Sequence, residues 1–184
     1  MKPFHVDLTP FLNNAGTCTA ADRTGGFTPV GSCYPAEHLP AYGSAVVFED
    51  KSFVFPVKTA EGYDNMELEA QEIGVPRAAY HQIDLLGACF NGSYFETFEL
   101  LLDGQVVHRF QVKLSNFGNN EGWFGEPTVI RCPLIRAKNM DLTNVTASIY
   151  GHFETLAEPI LFDTIRAGDN PFMHIFAITL RGDF

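Results

Sequence analysis

The end of the chain constrains the fold more than any other segment. Asp169-Asn170-Pro171 is a turn signal, and Phe172-Met173-His174-Ile175-Phe176-Ala177-Ile178-Thr179-Leu180 follows it. A run that is apolar, β-branched and aromatic on both alternating faces belongs inside a sheet, because a one-sided strand shows a polar face. The sequence therefore predicts a central last strand. Such a fold closes only when this segment is in place, which favours one domain over residues 1–184.

Short strand candidates recur along the rest: Phe4–Leu8, Ala45–Phe48, Ser52–Pro56, Glu67–Ile73, Tyr80–Leu86, Phe95–Leu102, Gln105–Lys113, Thr128–Cys132, Val145–Phe153 and Ile160–Ile165. Seventeen Phe and six Tyr suit strands, and 16 Gly and 11 Pro supply the turns between them. The clearest hairpin runs from Phe95 to Lys113 around Asp103-Gly104, a dipeptide that tolerates the positive φ of a type I′ turn. Its alternation puts Phe98, Leu100, His108, Phe110 and Val112 inside and Arg109 outside. Val145–Phe153 alternates likewise, with Thr146, Ser148, Tyr150 and His152 on one face. No segment carries sustained helical periodicity, and Ala36–Tyr42, bracketed by Pro35 and Pro40, allows a short helical turn at most. The predicted class is all-β, an antiparallel β-sandwich of jelly-roll type. Residues 9–40 show little strand signal, and a loop that long in a compact domain is usually functional.

Lys plus Arg number 12 against 22 Asp plus Glu, a formal charge of −10. An acidic surface repels phosphate backbones and anionic lipid, which argues against nucleic-acid and membrane partners and leaves neutral ligands, cations and basic surfaces. No run of about 18 apolar residues exists to span a bilayer. The start, Met1-Lys2-Pro3-Phe4, lacks an apolar leader, so the chain as written reads as cytoplasmic, or as secreted if a leader has been removed. Cys18 and Cys33 can close a loop whose cross-link is worth about 3 kcal/mol, or stay reduced; Cys89 and Cys132 lie in apolar surroundings and read as buried thiols.

Five stretches carry a resemblance: Val6-Asp7-Leu8, Asn13-Asn14-Ala15-Gly16, Gly31 through Pro40, Leu86-Gly87-Ala88-Cys89-Phe90-Asn91-Gly92, and His174 through Leu180. In that order, across nearly the whole chain, they resemble a β-sandwich module of the jelly-roll, galactose-binding-like kind found appended to bacterial glycoside hydrolases. The resemblance implies a carbohydrate-binding role and, in some members, a structural calcium.

Read from the residues alone, a sugar site needs an exposed aromatic platform with amides or carboxylates beside it. Asn116 through Glu126 supplies these in one Gly-rich loop holding the only Trp. Trp123 is the candidate platform, with Asn119, Asn120 and Glu121 as hydroxyl partners, and Phe90 and Asn91 contribute if their loop lies at the same end. The competing reading makes Trp123 and Phe124 a plug for the sandwich. Calcium needs about six to eight oxygens. Asp64 and Glu67, in Tyr63–Glu69, are the weak metal candidates, and a solvated acidic turn explains that run as well. The six His and four Cys form no zinc or iron spacing, and no Gly-x-Ser-x-Gly elbow or phosphate loop occurs.

These features favour a non-catalytic module for a neutral saccharide. Two alternatives stand. One is a small glycan-active or sugar-isomerising enzyme using His81, Asp84 or Glu37 with Tyr34 as acid and base. The other is a homo-oligomeric structural protein.

Overall fold

A computed structural model describes residues 2–183. In chain order the strands are β1 (Lys2–His5), β2 (Thr17–Cys18), β3 (Tyr34–Pro35), β4 (Ala45–Phe48), β5 (Lys51–Val54), β6 (Met66–Glu69) and β7 (Glu72–Cys89). Then come β8 (Tyr94–Leu102), β9 (Gln105–Leu114), β10 (Thr128–Cys132), β11 (Ile135–Arg136), β12 (Asp141–Leu142), β13 (Ala147–Arg166) and β14 (Asp169–Asp183). Among the described residues the only helical pieces are single 3-10 turns at Thr9–Phe11 and Ala36–His38.

The principal sheet runs β1-β14-β7-β13-β8-β9, with β6 on β14 and β10 on β13. β14 is interior, and Met173 through Leu180 are all buried, as its two apolar faces require. The architecture is an antiparallel β-sandwich, with one parallel pair, β2 and β3, inside the long N-terminal loop. Its layers are not two separate sheets. β7 and β13 are long, and register shifts near Thr155–Ile160 and Phe162–Thr164 let them turn from one layer into the other.

On one face the β8–β9 hairpin folds back over β7. A Cβ on Gly87 would lie 2.6 Å from Leu114 Cδ1 and from the His174 carbonyl, so only glycine permits the approach. On the other face Phe27, Tyr34 and Phe55 pack on Phe176 at ring distances of 6.2, 5.6 and 6.0 Å. The β8–β9 turn follows the predicted register: Asp103 and Gly104 have φ of 49° and 76°, Phe110 and Val112 are buried, and Arg109 is exposed. His108 is half-buried on the inward side.

Three expectations are corrected. Glu67–Ile73 is broken by Ala70 (φ 55°) into the end of β6 and the start of β7. The polar face of Val145–Phe153 is not wet: Ser148 and Tyr150 are fully buried, because the Asn116–Asn119 segment covers them and accepts their hydroxyl hydrogen bonds. Residues 63–69 are not a uniformly solvated acidic turn either, since Asp64 and Asn65 are fully buried.

The Cys18–Cys33 disulfide is formed, and Cys89 and Cys132 are buried thiols. Arg136 braces this region. Its buried guanidinium donates to both Glu37 carboxylate oxygens at 2.9 and 2.7 Å, to Asp141 and to the Cys18 carbonyl. No helix among the described residues is long and apolar enough to cross a membrane.

Candidate functional site

The Ser115–Glu126 loop is anchored at one end and open at the other. Phe117 is the anchor: it is buried, packs at a tilt on Phe27 and edge-on to Tyr34 at ring distances of 5.0 and 5.6 Å, and its N–H donates to the Cys89 carbonyl at 2.8 Å. Asn116 folds the next turn, its Oδ1 accepting from Gly118 N at 2.9 Å. Tyr150 OH then donates to the Asn119 carbonyl at 2.8 Å, and Arg131 donates to the Asn120 carbonyl.

The tip is built on a buried serine and a folded-back carboxylate. Trp123 N–H donates to Ser115 Oγ at 2.6 Å, Ser115 Oγ donates to Glu126 Oε1, and Phe124 N–H donates to Glu126 Oε2 at 2.9 Å. Glycine is required at Gly122, where a Cβ would collide with the Glu126 carbonyl, and suits Gly125 with φ of 85°. These bonds fix the backbone while the Trp123 side chain is left in water: the residue is 76% exposed and Phe124 38%. Phe117, rather than Trp123, plugs this end.

The amides expected to face a ligand are partly committed elsewhere. Asn120 Oδ1 accepts from Thr146 Oγ1 at 3.1 Å, and Asn119 is half-buried with its carbonyl taken. Glu121 is exposed and makes no hydrogen bond or ion pair among the described residues. A cleft of about 320 Å³ beside the tip is lined by Glu121, Glu126, Thr128 and Arg131 with the intervening glycines and Pro127, and not by Asn119 or Asn120.

Phe90 and Asn91 lie next door. Asn116 N–H donates to Ser93 Oγ at 3.0 Å, so the Phe90–Tyr94 turn and the tryptophan loop share one end of the sandwich. Phe90 is buried against Phe172 at 5.2 Å, Tyr94 stacks on Phe172 at 5.5 Å, and Asn91 (φ 58°) is exposed. Phe90, Asn91 and Phe172, with Thr28, Pro29 and the 80% exposed Val30, wall a second, mainly apolar cleft of about 350 Å³. The long N-terminal loop thus reaches this end. Sequence reasoning missed Ser115, Val30 and Phe172 and gave Glu126 no separate role. Val30 and Phe172 are distant in sequence from the Phe90–Asn91 turn they face, and Ser115 and Glu126 support the tip only through the fold of their own loop.

The metal candidates do not converge. Asp64 Oδ1 accepts from Gly16 N at 2.9 Å and Asn65 Nδ2 at 2.8 Å, and Oδ2 accepts from Thr17 N at 3.2 Å and Thr17 Oγ1 at 2.5 Å. Four donors fill the carboxylate, leaving no lone pair for a cation. Burial raises its pKa while these bonds oppose the rise. Glu67 instead faces His174, 3.9 Å from Nε2. Asn65 Nδ2 donates to Asn14 and Asp64, so Asn65 Oδ1 faces His174 Nδ1 at 2.6 Å and that nitrogen carries the hydrogen. No group of three or more His, Cys, Asp or Glu able to hold a metal occurs among the described residues.

Of the groups named for acid–base chemistry, His81 is half-buried on β7, and the other three are held by different partners. Tyr34 is buried and donates to the Ser148 carbonyl at 2.8 Å, with burial raising its pKa. Glu37 is held by Arg136, whose hydrogen bonds lower the carboxyl pKa. Asp84 accepts from Gln82 at 2.6 Å and lies 3.5 Å from the Arg181 guanidinium.

No match emerges among the curated proteins compared. The family model described as the AziU2-like beta-sandwich domain matches residues 2–183, and the chain belongs to that family.

Proposed function

We propose that this chain is a non-catalytic binding domain that takes a neutral saccharide ring on Trp123. The observation that carries the reading is that its only tryptophan is 76% exposed at the tip of a loop whose backbone is fixed by Ser115 and Glu126. A large aromatic face left in water on a fixed support is preorganised for the C–H face of a sugar, so binding loses little conformational entropy. Glu121 accepts hydroxyl hydrogen bonds from the ring, with the open Nδ2 of Asn120 as a donor beside it. Asn119, half-buried, takes a lesser part, and Phe90 with Asn91 offers a second contact at the same end. The acidic surface disfavours anionic ligands. The Cys18–Cys33 disulfide supports work in an oxidising compartment.

The enzyme reading draws no support from Tyr34, Glu37 and Asp84, each committed to a different structural partner. Because Trp123 is the sole tryptophan, intrinsic fluorescence reports this site directly. Titration with neutral oligosaccharides should blue-shift and saturate the emission. An unchanged spectrum against a broad panel, with binding detected calorimetrically for one member, would relocate the site away from Trp123.

A further inference from the structure

β4 is an edge with nothing to guard it. The β4–β5 hairpin closes at Phe48 opposite Lys51, around Glu49-Asp50. In a two-residue hairpin the closing pair exchanges both hydrogen bonds and every second pair does the same. Phe48 and Val46 are therefore bonded to β5, and the N–H and C=O of Ala45 and Val47 point to the open side. Among the described residues no strand pairs there.

Edge strands usually carry a charge or a proline that discourages further pairing. β1 has Lys2 and Pro3, β6 has Glu67 and Glu69, β9 has Arg109 and Lys113, and β10 has Arg131. β4 reads Ala-Val-Val-Phe. Around it Val47 is 70% exposed, Val57 53%, Val54 39% and Tyr42 38%.

We propose that β4 pairs antiparallel with β4 of a second copy of this chain, about a twofold axis through Val46. In that register Ala45 of each copy faces Val47 of the other, and the eight open main-chain groups of the two edges satisfy one another. The exposed faces of Ala45, Val47 and Val54 become one apolar surface across four strands. Charge fits the same register. Glu49, which makes no hydrogen bond or ion pair among the described residues, arrives opposite the partner's Gly43, beside Tyr42. The Lys58 ammonium lies over that tyrosine, 5.8 Å from the ring centroid. That ammonium already donates to Thr17 Oγ1 at 3.4 Å and lies 4.0 Å from the buried Asp64, with its side chain still 37% exposed. The dimer thus brings a second carboxylate to each Lys58, a match that the symmetry of a second copy supplies twice.

Sedimentation velocity across micromolar to millimolar protein tests this. The wild-type chain should move toward twice the monomer mass as concentration rises. Val47→Lys should stay monomeric, and Glu49→Lys should weaken association at least several-fold. Val107→Lys, at a valine 45% exposed on the guarded edge β9, should behave as wild type. Thermal melts matching wild type keep the Val47→Lys result from being a folding failure, which its exposure makes the expected outcome. A wild-type chain monomeric throughout, or a Val47→Lys protein that dimerises normally, overturns the proposal. An unaffected Glu49→Lys overturns the register.

Discussion

Two aromatic residues six positions apart play opposite parts. Phe117 is buried among Phe27 and Tyr34, so Phe117→Ala should cost about 3–5 kcal/mol in urea unfolding. Trp123 is mostly in water, so Trp123→Ala should change stability by no more than about 0.5 kcal/mol. A large loss in the second variant would mean that the Trp123 ring packs against the domain instead of lying in water. Burial also fixes the sign of a pH effect. It pushes His174 down to about 3 and His152 to about 4 from 6.5. The unfolded chain then takes up protons first as pH falls, so their contribution is full above about 6.5 and is lost toward pH 4. Asp64, Asp84 and Glu154, raised by burial, act in the opposite sense. His152→Gln should therefore reduce the drop in urea midpoint between pH 7 and pH 5 relative to wild type, and an identical drop would show that His152 does not titrate as described. Trp123 in water is the expectation for a platform, and His174 inside is the expectation for the last strand; the burial of Phe117 and of His152 was not legible beforehand. Trp123 and Phe117 share a Gly- and Asn-rich stretch, and only the covering of Tyr150 and Ser148 decides which ring turns inward.

Elements were readable where local chemistry and tertiary contact agree. β4 and β10 coincide with their predicted spans, and the β8–β9 hairpin keeps its turn because Asp103 and Gly104 both adopt positive φ. A Cβ on Gly104 would touch nothing within 4 Å, so Gly104→Ala should cost only the left-handed backbone penalty, roughly 1–2 kcal/mol, measured by thermal unfolding. A much larger loss would indicate a packing role. The long strands were not readable. Pro76 and Pro159 punctuate β7 and β13, and each read as separate short strands or loop, because the sequence does not say that a bulge will absorb the break. The parallel β2–β3 pair was invisible for a related reason: two residues in a loop make no pattern, and the disulfide beside them supplies the order. Reducing Cys18–Cys33 should lower stability by about 3 kcal/mol, read as a shift in urea midpoint with and without dithiothreitol.

For the molecule as a whole, the apolar C-terminal run foretold the architecture, since a strand apolar on both faces is interior in any sheet and β14 lies between β1 and β7. The β-sandwich class follows from that and from the spacing of turns, and the family match agrees with it. Of the resemblance to modules of glycoside hydrolases, the β-sandwich is the part that the family match supports. The placement of Trp123 and Phe90 at one end was not legible, because Ser93 and Asn116 join their loops only in the closed fold. The central claim, sugar binding at that end, is tested most directly on a glycan array read with wild-type and Trp123→Ala proteins of matched thermal stability. The account predicts a defined set of neutral glycans bound by wild type and lost in the variant. Retention of the same glycans by Trp123→Ala, or binding by neither protein, would contradict it.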